Sequence, residues 1–321
     1  MNPQDEALIL KVTQARSIVD CEPIQELWSG YGRIERIFLQ GGTHPSVVVK
    51  DVQPPRRPSH PRGWSGARGH ARKLTSYQVE MAWYEQWSSA CDERCRVPHC
   101  LASHHHADEY FMVLEDLDAS GFPLRHSSVQ MAEIEACLQW LASFHARFLN
   151  QKPVGLWPQG CYWHLNTRPD EWELLRDRRL KAGASAIDDV LRNARFQSVV
   201  HGDAKLANFC FSEDGNVAAV DFQYVGGGCG MLDVAYFLGS CLDEQACERL
   251  EQPLLEVYFE CLRNQVTDVD AAALEAEWRQ LYAYAWADFH RFLKGWSPGH
   301  WKINHYSERI SAQVLDDLEI S

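Results

Sequence analysis

Several features that define whole classes of protein are missing from this sequence. No apolar run approaches the roughly 20 residues that a membrane-spanning helix needs, and no basic segment followed by an apolar one opens the chain, so we expect neither an anchor nor a secretion signal. Basic residues are in deficit, because 31 Lys and Arg against 44 Asp and Glu give a formal net charge of -13. That balance argues against a nucleic-acid or anionic-membrane partner, since both attract a positively charged surface.

Paired C-x-x-C motifs are also missing, although the chain contains eleven cysteines. Cys91, Cys95, His99 and Cys100, together with the histidines at 104–106, lack the spacing of a closed zinc site. We interpret these residues as parts of surface loops. The odd number of cysteines forms no disulfide framework, so we expect reduced thiols and a cytoplasmic location.

What the sequence does contain is enough chain, 321 residues, for two domains or one large bilobal unit. Residues 34–39 and 47–50 are two β-rich runs, joined through Gly41 and Gly42, which suit a hairpin. Residues 51–72 are rich in proline, glycine and arginine, which predicts a long mobile loop.

Helical periodicity begins after that loop. Tyr77, Met81 and Tyr84 recur at helical spacing in SYQVEMAWYEQWSSA, and EYFMVLEDL then predicts another strand. The remainder is mainly helical, with three helices expected after Asp243. One further helix is marked by a set of apolar residues at the spacing of a packed face: Ile134, Cys137, Leu138, Leu141, Phe144 and Phe148.

The stretch VVHGDAKLANFCF, residues 199–211, contains the groups that phosphoryl transfer requires. Such a reaction needs a carboxylate near the acceptor hydroxyl, a cation for the transferred phosphate and oxygen ligands for magnesium. Asp203 fits the first role, Lys205 the second and Asn208 the third. Asp221, which ends the apolar run of VAAVDFQ, fits the main magnesium ligand. We interpret His201 as a residue that braces the loop.

In order and spacing these residues resemble the catalytic and metal-binding motifs of the protein-kinase-like fold. The chain is similar to the aminoglycoside phosphotransferase and choline kinase superfamily, and most of all to its ecdysteroid-kinase-like branch. The resemblance implies an α+β, bilobal fold with a small β-rich N-lobe at residues 1–117 and a larger, mainly helical C-lobe at residues 118–321. It also implies ATP and magnesium as cofactors.

The resemblance assigns further residues. Lys50 in VVVK matches the lysine that holds the α- and β-phosphates, and Glu80 matches its partner, with Glu85 as the competing carboxylate. MVLEDL, with Glu115 and Leu117, resembles the strand whose backbone receives adenine. Asp233 in GMLDVAYFL matches the aspartate that braces the catalytic loop.

Gly30 and Gly32 are assigned to the loop that covers the phosphates, although they form only part of a G-x-G-x-x-G motif. For the arginines of the 51–72 segment two readings stay open. The segment is either a solvated insertion or a lid that closes over the phosphates. The arginines concerned are Arg56, Arg57, Arg62 and Arg68.

The expected activity is transfer of the γ-phosphate of ATP to a hydroxyl of a small molecule. Asp221 and Asp233 lie only twelve positions apart, which leaves little room for a segment that presents a protein substrate. Amino alcohols, aminoglycosides, sugars and steroid-like alcohols all stay open as acceptors. So does the alternative of a kinase-fold, pseudokinase-like module that binds nucleotide without transfer. Residues expected near the acceptor by analogy are Trp157, Trp163, Trp286, Trp296 and Asp288.

Overall fold

A computed structural model describes residues 1–27, 30–55 and 67–320 of the chain. The α-helices in these ranges are α1 (Pro3–Thr13), α2 (Ala67–Gln86), α3 (Met131–Arg147), α4 (Pro169–Leu174), α5 (Arg178–Arg192), α6 (Met231–Cys241), α7 (Glu244–Arg263), α8 (Ala271–Trp296) and α9 (His305–Asp317). The strands are β1 (Ser17–Glu26), β2 (Gly32–Gln40), β3 (Ser46–Val52), β4 (Cys100–His106), β5 (Glu109–Glu115), β6 (Ser198–Val200), β7 (Phe209–Phe211), β8 (Val217–Ala219) and β9 (Gly226–Gly228).

An antiparallel sheet of five strands, in the order β1-β2-β3-β5-β4, contains the predicted hairpin. β2 pairs with β3 so that Ile34 lies opposite Lys50. Gly41 and Gly42 in the turn have φ angles of 71° and 99°, a region of backbone conformation that glycine adopts without steric cost. The hairpin prediction is therefore confirmed.

The core of this sheet explains which way Lys50 faces. Val47 and Val49 of β3 pack with Ile9 of α1 in one buried apolar cluster. Successive side chains of a strand point to opposite faces. Lys50 therefore lies on the other face of the sheet from Val47 and Val49, where it is also buried.

α2 begins earlier than the sequence pattern predicts. Residues 67–72 form its first turns and residues 51 and 52 belong to β3, so the predicted loop 51–72 is wrong at both ends. Proline and glycine dominate the pattern up to residue 66, whereas alanine, arginine and lysine after it are good helix formers. Arg56, Arg57 and Arg62 lie outside the described residues, and Arg68 lies in the first turn of α2.

β4 corrects the interpretation of the histidine run as a loop. His104, His105 and His106 are part of β4, which pairs with β5 at one edge of the sheet. An edge strand has a row of groups in solvent and tolerates polar residues, so its composition gives little sign of a strand. In the described ranges, no group of three or more His, Cys, Asp and Glu side chains is arranged to hold a metal ion.

The helical part confirms the predicted periodicity. The residues that marked the apolar face of α3 are buried, as are Tyr77, Met81 and Tyr84 of α2. α7, α8 and α9 are the three helices expected after Asp243. The VVHGDAKLANFCF stretch lies between two short strands, since β6 precedes its polar residues and β7 follows them.

The contacts group the chain into two compact units. Residues 1–92, 96–124 and 210–223 form the first, which contains the five-stranded sheet and α2. Residues 93–95, 125–209 and 224–321 form the second, which contains α3 to α9. The lobe boundary after Leu117 stays a prediction. Of the helices that the structure describes, none has both the length and the apolar character to cross a bilayer.

Candidate active site

The loop at residues 201–208 depends on a glycine and a buried carboxylate for its shape. Gly202 has a φ of 80°, and a Cβ there would lie 2.0 Å from the carbonyl oxygen of Tyr224, so no larger residue fits. The backbone N–H groups of His201 and Gly202 donate to the carboxylate of Asp233, at 2.6 and 2.9 Å. Asp233 is fully buried at the start of α6. It therefore braces the 201–208 loop from the second compact unit.

His145 completes this brace and was not found from the sequence. It is fully buried on α3, with its Nε2 3.1 Å from the Asp233 carboxylate and its Nδ1 2.8 Å from the Tyr258 hydroxyl. A carboxylate only accepts hydrogen bonds, so Nε2 carries the proton and Nδ1 accepts from the tyrosine. His145, which lies 88 residues before Asp233 in the chain, thus holds Asp233 in place.

Asp203, Lys205 and Asn208 are brought together by the 201–208 loop. Asp203 is buried, and its Oδ2 accepts hydrogen bonds from Lys205 Nζ at 2.8 Å and from Asn208 Nδ2 at 3.1 Å. Asn208 Nδ2 also donates to the Asp203 carbonyl at 2.7 Å. This orientation commits the amide nitrogen to Asp203, so the Asn208 carbonyl oxygen is the atom left for a cation. The buried His201 accepts from the Asp203 N–H at 3.2 Å, as a bracing residue does.

Two tyrosines next to Asp203 were also missed. The pKa of Tyr236 is raised well above its usual value, first by burial and then by the negative charge of Asp203. Burial and the same charge raise the pKa of Tyr162, whose ring packs edge-on against Tyr236 at 5.5 Å. Both hydroxyls stay protonated at neutral pH and act as neutral neighbours of the carboxylate.

Lys50 and Glu80 form a buried ion pair in the first compact unit. Lys50 Nζ lies 2.6 and 2.8 Å from the two carboxylate oxygens of Glu80, and both residues are under 5% exposed. Burial raises the pKa of Glu80 to about 7, and the charge of Asp221 adds to this while Lys50 opposes it. Glu85, the competing carboxylate, is exposed and accepts from the Ser103 hydroxyl at 2.6 Å.

Asp221 lies beside this pair, with Oδ1 3.9 Å from Lys50 Nζ. Its backbone has a φ of 69°, an unusual conformation for a non-glycine residue. The next residue is anchored, because Phe222 is fully buried and stacks on Trp83 of α2 at 4.6 Å between ring centroids. Asp221 Oδ1 is buried and makes no hydrogen bond within the described ranges. A carboxylate oxygen in that state fits a magnesium ligand.

Glu115 and Leu117 can offer backbone groups only. The Glu115 side chain contacts Arg96 and accepts from the His99 N–H at 3.0 Å. Burial alone would raise the Glu115 pKa, but these hydrogen bonds outweigh burial and lower it. The Leu117 carbonyl accepts from the Phe122 N–H at 2.8 Å, which leaves the Leu117 N–H as the group available to an adenine ring.

Gly30 and Gly32 lie at the turn into β2. Their φ angles are 72° and 128°, and a Cβ at Gly32 would lie 2.0 Å from the Asp51 carbonyl oxygen. Tyr31 between them is 2% exposed, so its ring packs into the first compact unit. The glycines therefore shape a tight turn at the end of β1, and their contact with phosphates stays a prediction.

The residues expected near the acceptor divide into two groups. Trp163 and Trp286 are buried, and Asp288 is 1% exposed and ion-paired with Arg291 at 2.8 Å, so these three belong to the packing of the helices. Trp157 and Trp296 keep part of their surface exposed. Asp288 is thus committed to an arginine.

Comparisons with known proteins identify the family and the fold. The model of the ecdysteroid kinase-like family matches residues 65–151 and 165–271, a range that includes Glu80, the 201–208 loop, Asp221 and Asp233. No match was found among the curated proteins.

Two solved structures share the fold. An amicoumacin kinase, in complex with AMP-PNP, Ca²⁺ and Ami, is 14% identical with a TM-score of 0.54, over 98% of this chain and 93% of that one. A choline kinase from Cryptosporidium parvum Iowa II is 11% identical with a TM-score of 0.56, over 98% and 95% of the two chains. These similarities confirm the α+β, bilobal, protein-kinase-like fold predicted from the sequence.

Proposed function

We propose that this chain, which belongs to the ecdysteroid kinase-like family, transfers the γ-phosphate of ATP to a hydroxyl group of a small molecule in a magnesium-dependent reaction. The observation that carries the proposal is the 201–208 loop, where a nearly buried carboxylate, a lysine and an amide meet within hydrogen-bonding distance. The two solved relatives act on small molecules according to their names. The cysteine content favours the cytoplasm as the place of this reaction.

Asp203 accepts the proton of the attacking hydroxyl in this mechanism. The hydroxyl oxygen forms a bond to the γ-phosphorus, the bond from that phosphorus to its bridging oxygen breaks, and ADP leaves with the electron pair. The 201–208 loop holds Asp203 in one orientation through Asp233 and His145, which removes the entropic cost of positioning the base.

Lys205 has two uses in the same reaction. Its ion pair with Asp203, at 2.8 Å, orients the carboxylate that acts as the base. Its side chain is 38% exposed, and its charge would stabilise the transition state when it contacts the transferred phosphate. Loss of the ion pair then raises the proton affinity of Asp203 at the step in which it accepts the proton.

Lys50 would hold the α- and β-phosphates from its position between Glu80 and Asp221. Asn208 and Asp221 would hold magnesium through their oxygens. When bound, magnesium supplies charge neutralisation on the phosphate oxygens. The backbone of Glu115 and Leu117 would receive adenine, and Gly30 and Gly32 would cover the phosphates.

The decisive variant is Asp203→Asn, which keeps the size of the side chain and removes the base. We expect turnover to fall by about 10²–10⁴-fold, because general-base catalysis contributes that much, while nucleotide binding stays nearly unchanged. The assay follows label from γ-labelled ATP into a fractionated pool of small alcohols and measures nucleotide affinity by calorimetry. Unchanged turnover in the variant would remove Asp203 from the mechanism, and nucleotide binding without transfer in the wild type would favour the binding module.

Asp221→Asn tests the magnesium ligand separately. We expect the variant to bind nucleotide equally with magnesium and with a chelator, because the amide does not offer a charged oxygen to the cation. The wild type should bind more tightly with magnesium. Calorimetric titrations of both proteins under both conditions decide the point, and a variant that keeps the magnesium effect would exclude Asp221 as the ligand.

A further inference from the structure

Lys302, between α8 and α9, lies among aromatic rings. Its Nζ is 5.3 Å from the ring centroid of Tyr236, 5.5 Å from that of Phe289 and 5.5 Å from that of Trp301. We call Tyr236, Phe289 and Trp301 the aromatic cage. The face of an aromatic ring attracts a cation within about 6 Å, and such cages bind quaternary ammonium ligands in other proteins. Here the protein's own ammonium group occupies the cage.

The Lys302 ammonium has no hydrogen-bond acceptor within the described ranges, although it carries three donors. Lys294 on α8 makes the contrast clear, because its Nζ contacts Asp177 at 2.8 Å and Glu308 at 2.9 Å. Burial lowers the pKa of Lys302 to about 8, and the charge of Lys205 lowers it further while that of Asp203 opposes the shift. Lys302 is half-buried, and donors that meet no protein acceptor are open to a bound molecule. A bound molecule that offers an oxygen would satisfy them.

The aromatic cage lies beside the proposed base. Tyr236 connects the two, since its ring contacts Lys302 and also packs on Tyr162, whose N–H donates to the carbonyl of Gly202 next to Asp203. Trp301 forms the outer wall and is 59% exposed, so the cage faces solvent on one side. Lys302 lies outside the residues that the family model matches. A molecule whose hydroxyl reaches Asp203 therefore meets Lys302 and the cage rings with its neighbouring atoms.

We propose that Lys302 determines acceptor specificity: it fills the aromatic cage, excludes quaternary ammonium head groups, and donates a hydrogen bond to an oxygen substituent of the acceptor near the phosphorylated hydroxyl. The inference rests on the proposed function and narrows its substrate class. Exclusion follows from occupied volume and like charge. Selection of an oxygen substituent, such as a carboxylate, carbonyl or second hydroxyl, follows from the unmatched donors.

The first test measures binding of tetramethylammonium by calorimetry, and it needs no turnover. The wild type should give no saturable binding. Lys302→Ala empties the cage and should bind the ion at least about 10-fold more tightly than the wild type, because each cation–π contact is worth about 0.5–2 kcal/mol. Lys302→Met fills the cage with an uncharged side chain, so this variant should not bind tetramethylammonium. If tetramethylammonium binds equally to the wild type and Lys302→Ala, or binds to neither, the proposal that Lys302 excludes quaternary ammonium groups is overturned.

Lys181 provides a matched control. Its Nζ lies 5.2 Å from the Trp172 ring centroid and donates to the Glu173 carbonyl at 2.7 Å, so Lys181→Ala also removes a cation from an aromatic face. This variant should bind tetramethylammonium no better than the wild type. If it binds as well as Lys302→Ala does, the effect is not specific to the cage. Thermal unfolding of each variant checks that Lys302→Ala is folded during the titration.

The second test uses the acceptor found by label transfer. Lys302→Met should raise KM for an acceptor with an oxygen substituent by about 10-fold, the effect of one charge-assisted hydrogen bond, with kcat changed little. A fall in kcat at constant KM, or no change in either, overturns the proposal that Lys302 donates a hydrogen bond to the acceptor. Absence of label transfer in the wild type would instead overturn the proposed function, while the tetramethylammonium titration still decides the occupancy of the cage.

Discussion

The first compact unit contains the lysine–carboxylate pair Lys50–Glu80 and the second contains the pair Lys205–Asp203, and the two pairs differ in exposure. Lys50 and Glu80 come from a strand and a helix 30 residues apart, and their side chains are 5% and 2% exposed. Lys205 and Asp203 lie two residues apart on one loop, and their side chains are 38% and 11% exposed. A buried pair is strongly destabilising to break, whereas an exposed pair contributes little to stability. The Lys50–Glu80 pair is therefore a fixed anchor, whereas separation of the Lys205–Asp203 pair would cost little stability.

Glu80→Ala should produce the largest effect on stability. The variant leaves Lys50 as a buried charge without its closest partner, so the free energy of unfolding should fall by about 3–5 kcal/mol. Urea denaturation measures the change. Glu85→Ala on the exposed side of α2 is the control and should change stability by about 0.5 kcal/mol or less. Equal effects of the two variants on the free energy of unfolding would contradict the role of the Lys50–Glu80 pair as a fixed anchor.

Lys205→Met should have the opposite profile. Turnover should fall about 10²-fold, because one group that stabilises transition-state charge is lost, while the free energy of unfolding changes by less than about 1 kcal/mol. Steady-state kinetics and urea denaturation on the same preparation separate the two effects. A large loss of stability with normal turnover would assign Lys205 to the framework of the loop.

The smallest expected effect is a coupling energy, which double-mutant cycles on the free energy of unfolding measure. The coupling between Lys205→Met and Asp203→Asn should be below about 1 kcal/mol, and that between Lys50→Met and Glu80→Leu several times larger. Similar coupling energies in the two cycles would show that exposure does not separate the pairs. Asn208 is left unchanged in the first cycle, because it also contacts Asp203.

The sequence predicts those residues of the site that lie close together along the chain, and it misses those that lie far apart. Asp203, Lys205 and Asn208 lie within six residues, so a local motif contains their chemistry, and the structure places them in hydrogen-bonding contact. His145 supports the same loop from 88 residues before Asp233. A lone histidine on an apolar helix has the pattern of a core residue, and no local signal pairs it with Asp233.

Lys302 illustrates the same limit at the other end of the chain. Its neighbours Tyr236 and Phe289 come from two helices whose sequence patterns predict burial only. Their juxtaposition is a result of helix packing, which periodicity does not encode. The same reasoning explains the fold: α3 and the β2–β3 hairpin follow from local patterns, whereas β4 is a strand mainly because β5 lies beside it.

Because the 201–208 loop depends on Asp233, its final geometry forms only late in the synthesis of the chain. A chain grows from its N-terminus at about 5–20 residues per second and its parts fold as they emerge. Asp203 is made before the carboxylate that holds the His201 and Gly202 N–H groups exists. A nascent chain released before residue 233 would contain the base, the lysine and the amide, yet it would lack the brace that holds them together. The reactive geometry is thus completed only after α6 has been synthesised.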